Sequence, residues 1–126
     1  MRISVIGAGS WGTAMSKVLA NSGHEVLLWV READLLNMLH ESRRSYYIDI
    51  VLPNNILFTG DIQQAMSFSN LVFNAVPVQF IRKVFETVDL HEKKIVNLSK
   101  GIELAFLKRP SELFKELGAH SCITPV

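Results

Sequence analysis

The chain has 126 residues, of which 48% are hydrophobic and 20% charged, a size and composition that fit one compact domain. Thirteen Lys and Arg residues against twelve Asp and Glu leave a net charge of +1, which excludes a nucleic-acid binder that depends on a basic surplus. No apolar run approaches the ~18–20 residues of a membrane span, and the apolar stretch after Met1 is too short for a secretory signal.

Strand-like apolar runs alternate with segments of helical periodicity along the whole chain. In chain order the predicted elements are a strand at 3–6, a helix at 13–20, a strand at 25–30, a helix at 32–42, a strand at 56–58, a helix capped by Asp61 and running to about 68, a strand at 71–76, a helix whose buried stripe is Phe80, Ile81, Val84, Phe85 and Val88, a strand at 95–98, a helix beginning near Pro110, and a strand at 121–126. This alternation predicts one α/β domain with a doubly wound, mostly parallel sheet and helices on both faces.

A glycine-rich turn follows the first strand directly. Residues 7–12, Gly-Ala-Gly-Ser-Trp-Gly, match G-x-G-x-x-G, and the helix begins within this turn. That context is the Rossmann dinucleotide-binding fingerprint. Gly7 permits the tight turn, Gly9 leaves room for a pyrophosphate, and Gly12 lets the helix pack closely on the sheet. Amides near Ser10 then face the anion. A turn without a ligand is the alternative.

The end of the second strand predicts which cofactor is preferred. An acidic residue there would bond the ribose 2′-hydroxyl of NAD, but this strand ends in Arg31. An arginine can pair bidentately with a 2′-phosphate, which favours NADP(H), with NAD(H) possible. Glu32 follows at once, and a shift of one residue would restore an acid. The alternative is that Arg31 is a solvated charge at the entry of a helix.

Four motifs occur in the order found in one enzyme family. They are residues 7–14 (Gly-Ala-Gly-Ser-Trp-Gly-Thr-Ala), 28–31 (Leu-Trp-Val-Arg), 75–79 (Ala-Val-Pro-Val-Gln) and 98–103 (Leu-Ser-Lys-Gly-Ile-Glu). Together they resemble the NAD(P)-dependent glycerol-3-phosphate dehydrogenases, most closely the bacterial type, over nearly the whole chain. The resemblance implies an oxidoreductase that passes hydride between NAD(P)H and dihydroxyacetone phosphate or glycerol 3-phosphate and supplies phospholipid synthesis. It also implies a homodimeric enzyme with a small phosphorylated substrate.

The resemblance also implies roles for particular residues. Ser10 and Trp11 would contact the cofactor near the pyrophosphate, and Arg31 would lie at the 2′-phosphate. Pro77 would border the nicotinamide ribose. Lys100 would lie near both the nicotinamide and the substrate phosphate. Independently of the family, Lys100 follows a predicted parallel strand on the side where such sheets bind ligands, although a surface loop lysine is the ordinary alternative.

Phe80 is expected either beside that ribose or in the core of its helix. The family usually has Tyr-Leu-Pro-Gly where this chain reads Tyr46-Tyr47-Ile48-Asp49, so a cofactor contact by Tyr46 is not carried over. Residues 1–126 of this chain are similar to the family's amino-terminal cofactor-binding domain. We expect no catalytic residue in it, because the family's proton-transfer lysine lies in a helical substrate domain that this chain lacks.

Other chemistry has little support in the sequence. The four histidines have no partner at metal-ligand spacing, so no metal site is expected. Cys122 stands alone and cannot form an internal disulfide, which favours the cytoplasm. The pairs Arg43-Arg44 and Lys93-Lys94 are interpreted as solvated surface. Two alternative functions remain at this point: another two-domain dehydrogenase acting on a hydroxy acid or sugar nucleotide, and a non-catalytic nucleotide-binding module.

Overall fold

The computed structural model describes residues 1–125 and shows strands and helices in strict alternation. The elements are β1 (Arg2–Ile6), α1 (Ser10–Asn21), β2 (Glu25–Trp29), α2 (Ala33–Ser42), β3 (Ile56–Thr59), α3 (Ile62–Phe68), β4 (Leu71–Asn74), α4 (Val78–Val84), β5 (Lys94–Asn97), α5 (Pro110–Glu116) and β6 (Ser121–Ile123). Every predicted element is present, and most bounds agree within two or three residues; the predicted end of the last strand, Val126, lies outside the described residues.

The six strands form one sheet in the order β3-β2-β1-β4-β5-β6, and every pairing is parallel. This confirms the predicted doubly wound sheet, whose connections reverse direction between β1 and β4. The register aligns Trp29, Ile6, Asn74 and Asn97 in one row at the ends of β2, β1, β4 and β5. We call this row and the loops that follow it the carboxyl edge.

Two apolar clusters cover the two faces of the sheet, as the continuous apolar strands predict for a sheet that is buried on both sides. One cluster joins Ile6 and Ile95 to Phe85 and Phe114, whose rings meet edge to face at 5.2 Å. The other packs strand residues such as Val5 against α1 and α2. The helices therefore fix the sheet from both sides and leave its carboxyl edge open to loops.

Local signals account for where several helices begin and end. Gly23 closes α1 with φ +93°, and the amide of His24 bonds the carbonyl of Leu19, as predicted from the glycine. The carboxylate of Asp61 accepts a hydrogen bond from the amide of Gln63 at the start of α3, which confirms the predicted cap. Pro110 occupies the first turn of α5, also as predicted.

Two expectations for the region after β4 are wrong. The strand ends at Asn74 and not at Val76, because the side chain of Asn74 turns back to accept a hydrogen bond from the Val76 amide. Phe80 is 57% exposed and does not belong to the core, while Ile81 on the same helix and Phe85 just after it are buried. The alternative place for Phe80, beside the ribose, stays a prediction. Phe80 lies at one edge of the predicted stripe, and that edge faces solvent.

The basic pairs are surface residues only in part. Arg44 and Lys94 are exposed, as expected. Arg43, however, donates from its guanidinium to the carbonyls of Leu52, Pro53 and Ile56. The ammonium of Lys93 likewise bonds carbonyls at the end of α3, and burial lowers its pKa. Both cations donate hydrogen bonds to backbone carbonyls between elements. Residue type and spacing in the sequence do not predict this role. Within residues 1–125, none of the helices is long and apolar enough to span a membrane.

Candidate dinucleotide-binding site

The turn after β1 depends on glycines, because a Cβ atom would not fit at two of its positions. Gly7 has φ +111°, and a Cβ at this position would lie 2.9 Å from the backbone carbon of Ala75 on the neighbouring chain segment. A Cβ on Gly12 would overlap the carbonyl oxygen of Gly7, so the first turn of α1 lies directly against the turn. Both glycines therefore allow a close approach of backbone to backbone, as the fingerprint predicts.

Gly9 differs from its two neighbours in the motif, because an added Cβ would meet no protein atom within 4 Å. The space above Gly9 is open, and Gly9 is also the N-cap residue of α1. No side chain caps this helix, and its first turn carries no acidic residue. The amides of the first turn, which have no partner within the helix, therefore face that space with the positive end of the helix dipole. This is a cradle for an anion, and it fits a pyrophosphate.

A cation and an anion follow β2 at the same edge. The side chain of Arg31 is 74% exposed, and its Nε lies 3.9 Å from the Oε1 of Glu32. A pair at this distance with an exposed guanidinium contributes little to stability, so the guanidinium remains available to a ligand. The other carboxylate oxygen of Glu32 accepts a hydrogen bond from the hydroxyl of Tyr47 at 2.9 Å. This bond raises the pKa of Tyr47 to about 12.

A buried amide network joins the ends of β4 and β5. The amide of Asn74 donates to the Oδ1 of Asn97 at 3.0 Å and to the hydroxyl of Ser99 at 3.1 Å, and both asparagines are fully buried. Asn97 in turn donates to the carbonyl of Ser99 and accepts from its hydroxyl at 2.7 Å. These bonds fix the direction in which both chains leave the sheet. Neither asparagine is predicted as a site residue from the sequence, although each is the polar last residue of an apolar strand.

Lys100 lies in the loop that this network fixes. It follows Ser99 and precedes Gly101, which takes φ +102° and turns the chain towards α4. Lys100 is exposed, and within residues 1–125 its ammonium makes no ion pair or side-chain hydrogen bond. An unpaired ammonium on a fixed loop at the carboxyl edge is suited to an anionic ligand.

An ion network holds the rest of this loop against α4. The guanidinium of Arg82 binds Glu103 through two bonds of 2.9 and 3.0 Å, and Glu103 is only 4% exposed. Arg82 also reaches Glu116, which pairs with Lys108 at 3.1 Å. The hydrogen bonds from Arg82 lower the pKa of both carboxyl groups, and the two carboxylates raise that of Arg82.

The side chain of Gln79 completes this attachment. It donates to the carbonyl of Ile102 at 2.8 Å and accepts from the amide of Leu104 at 3.1 Å. Two of the motifs in the sequence, residues 75–79 and 98–103, are therefore in contact through Gln79. Their joint occurrence has a physical reason, since the first motif carries the side chain that holds the second.

The structure thus places all eight predicted cofactor-binding residues on loops or helix starts at the carboxyl edge. They are Gly7, Gly9, Ser10, Trp11 and Gly12 after β1, Arg31 after β2, Pro77 after β4, and Lys100 after β5. Trp11 is 68% exposed on the first turn of α1, so its ring is free to contact a ligand. The individual roles of these residues remain predictions. Among residues 1–125 no cluster of three His, Cys, Asp or Glu side chains offers a metal site.

A groove of about 530 Å³ lies elsewhere, along the edge strand β3 between α2 and α3. The guanidinium groups of Arg2 and Arg43 line it, but both are engaged: Arg2 stacks over the ring of Phe68 at 3.9 Å, and Arg43 binds three carbonyls. A ring nitrogen of His40 lies 3.4 Å from the carbonyl of Phe58 on the strand's outer edge. We therefore assign the ligand site to the carboxyl edge.

Comparison with known proteins gives a consistent result. The family described as "NAD-dependent glycerol-3-phosphate dehydrogenase N-terminus" matches residues 2–124. A glycerol-3-phosphate dehydrogenase (NAD(P)+) of Thermoanaerobacter sp. is 40% identical over 120 residues, which are 92% of this chain and 36% of that protein. The enzyme of the same name from Pelodictyon phaeoclathratiforme is 37% identical over 131 residues, covering 100% of this chain and 39% of its own length.

A solved structure agrees with these sequence matches. The crystal structure of glycerol-3-phosphate dehydrogenase from Coxiella burnetii superposes with a TM-score of 0.78 at 25% identity, over 92% of this chain and 36% of that one. The chain therefore spans 36–39% of the length of these three relatives.

Proposed function

The chain belongs to the family of NAD-dependent glycerol-3-phosphate dehydrogenases, and from that premise we propose that residues 1–126 are the dinucleotide-binding domain of such an enzyme. The whole enzyme would transfer hydride between NAD(P)H and dihydroxyacetone phosphate or sn-glycerol 3-phosphate. We include in this proposal a supply of glycerol 3-phosphate for phospholipid synthesis, a cytoplasmic location and a homodimeric state.

One observation carries the proposal: the open space above Gly9 faces the uncapped first turn of α1. It lies beside the point between β1 and β4 where the strand order reverses, which is where open parallel sheets bind ligands. An anion held there needs no side chain, because backbone amides and the helix dipole stabilise it. Ser10 and Trp11, which begin α1, are the side chains closest in sequence to this cradle and are proposed to contact the pyrophosphate.

The remaining residues would select and orient the two ends of the cofactor. Arg31 is proposed to bind a 2′-phosphate, so that NADP(H) is preferred and NAD(H) is also accepted. Pro77, at the start of α4, would border the nicotinamide ribose, and Lys100 would hold the substrate phosphate near the nicotinamide. The bound nicotinamide supplies the hydride chemistry, while the domain supplies orientation and electrostatics. We assign no catalytic residue to this chain, because the proton-transfer lysine expected from the family has no counterpart among its motifs.

The test is a fluorescence titration of the chain with NADPH and with NADH. We expect NADPH to bind more tightly, and Arg31→Ala to weaken NADPH binding by about tenfold while changing NADH binding little. Arg2→Ala is the matched control, since Arg2 is an exposed arginine at the opposite end of the sheet. Equal affinities for the two nucleotides, or an Arg31→Ala variant that loses nothing, would contradict the assignment of Arg31. A flat titration with both nucleotides would contradict the proposed function.

A further inference from the structure

A hydrogen bond between Tyr47 and Glu32 lies beside the residue proposed to select the cofactor. Glu32 is the N-cap residue of α2, yet its carboxylate does not cap that helix. One carboxylate oxygen accepts from the Tyr47 hydroxyl at 2.9 Å, and the other lies 3.9 Å from Arg31. The carboxylate is therefore held by a residue fifteen positions away in preference to its own helix.

A carboxylate at this position has two alternative contacts that would change cofactor choice. It could accept a hydrogen bond from a ribose 2′-hydroxyl, which is how NAD binders use an acid at the end of this strand. It could also approach Arg31 more closely, neutralise the guanidinium and repel a 2′-phosphate. Either movement would favour NADH over NADPH, so the position of Glu32 matters as much as the presence of Arg31.

We propose that Tyr47 is a specificity-determining positioning residue: by holding Glu32, it keeps that carboxylate at 3.9 Å, out of hydrogen-bond contact with Arg31, and away from the ribose site, and so preserves the preference for NADPH. The inference rests on the proposed function, because it concerns the same cofactor site. Tyr47 itself need not touch the cofactor. Its effect passes through Glu32 alone.

The surroundings of Tyr47 suit this role. The ring of Tyr47 packs against that of Tyr46 with centroids 4.8 Å apart. The segment that carries both rings is closed by the bridge between Arg44 and Val51 and by an ion pair of 3.2 Å between Arg44 and Asp49. A hydroxyl that donates to an ionised carboxylate makes the stronger kind of hydrogen bond. With its pKa raised to about 12, the hydroxyl keeps its proton throughout the neutral range.

The test measures the ratio of NADPH to NADH affinity in four chains: wild type, Tyr47→Phe, Glu32→Gln and the double variant. Tyr47→Phe keeps the ring and removes the hydroxyl, so Glu32 can close on Arg31, and we expect the ratio to fall about threefold to fivefold, the effect of forming one direct surface ion pair. In the Glu32→Gln background the same change should leave the ratio unmoved. Tyr46→Phe is the matched control and should not alter the ratio. Thermal unfolding of each variant separates specificity from stability.

The outcomes are distinguishable. An unchanged ratio in Tyr47→Phe overturns the inference, as does a fall that persists when Glu32 is already Gln. Glu32→Gln removes the negative charge beside Arg31, so the ratio of NADPH to NADH affinity in that variant should equal or exceed that of wild type. A lower ratio overturns the inference as well. If the wild-type chain binds NADPH while these results fail, only the role of Tyr47 is lost. If the wild-type chain binds neither nucleotide, the proposed function fails with it.

Discussion

Two loops at the same edge of the sheet are held in opposite ways. The turn after β1 is held by backbone alone, with Gly7 and Gly12 allowing chain segments to touch and Gly9 leaving space. The loop after β5 is held by side chains: the Asn74–Asn97 network fixes its start, and Arg82 with Glu103 fixes its far side. A loop that presents backbone amides to a ligand needs glycines, because side chains would block the approach. A loop that presents a lysine needs other side chains to fix its path.

The two loops are therefore sensitive to different substitutions. In the β1 turn, one added methyl group acts on folding or on binding according to which glycine receives it. In the β5 loop, loss of one partner leaves a buried polar group without a bond, and the effect depends on pH because charges are involved. Three variants and one binding measurement test this contrast.

The largest effect is expected for Gly12→Ala. Its Cβ would overlap the carbonyl oxygen of Gly7 and approach the Cβ of Ala75 at 3.1 Å, so the turn and the helix must separate. We expect a loss of about 3 kcal/mol or more in the free energy of unfolding, measured by urea denaturation. Gly9→Ala is the matched control, because the same methyl group meets nothing there. Equal stability of the two variants would show that the close approach at Gly12 is not needed.

A smaller loss of stability is expected for Glu103→Gln. The hydrogen bond from Arg82 lowers the pKa of Glu103, so the folded state holds the ionised form more tightly than the unfolded chain does. That contribution is complete above the unfolded carboxyl pKa of about 4.3 and is lost as the pH falls through the lower folded value.

The urea midpoints of wild type and Glu103→Gln should therefore differ by a constant amount between about pH 6 and 8 and converge in acid. Glu86→Gln, at an exposed carboxylate, serves as the control and should change the midpoint little. A difference between wild type and Glu103→Gln that is independent of pH would contradict the role given to the ion pair.

The smallest effect on stability is expected for Lys100→Ala. Lys100 is exposed, and among residues 1–125 its ammonium makes no ion pair or side-chain hydrogen bond, so the free energy of unfolding should change by less than about 0.5 kcal/mol. The measurement is thermal unfolding with and without glycerol 3-phosphate in the presence of NADPH. Wild type should gain more from the phosphate than Lys100→Ala does. A clear destabilisation without ligand would make Lys100 a structural residue instead.

Much of the fold could be predicted because local signals and periodicity agree. Gly23, Asp61 and Pro110 each mark a helix end by a mechanism that acts within a few residues. The strand–glycine–helix context of residues 7–12 likewise located the cradle, since it depends on backbone geometry that glycine alone permits. Parallel order followed from the regular alternation of the elements.

The rest depends on contacts between distant parts of the chain. Asn74 and Asn97 are neighbours only through the register of β4 and β5, and Arg82 meets Glu103 only after the loop has folded. Phe80 was misassigned because helical spacing alone does not show which side of a short helix meets the sheet. Arg43 and Lys93 look like solvated charges in the sequence, since carbonyls that need a donor cannot be identified without the tertiary structure.

An NADPH titration of Gly9→Ala beside wild type tests whether the space above Gly9 holds the cofactor. The added methyl group occupies the open space above the helix start and touches no protein atom within 4 Å, so folding should be kept. We predict an unfolding midpoint close to that of wild type together with NADPH affinity reduced by about tenfold or more. Wild-type affinity in a folded Gly9→Ala variant would contradict the claim that this space holds the cofactor's pyrophosphate.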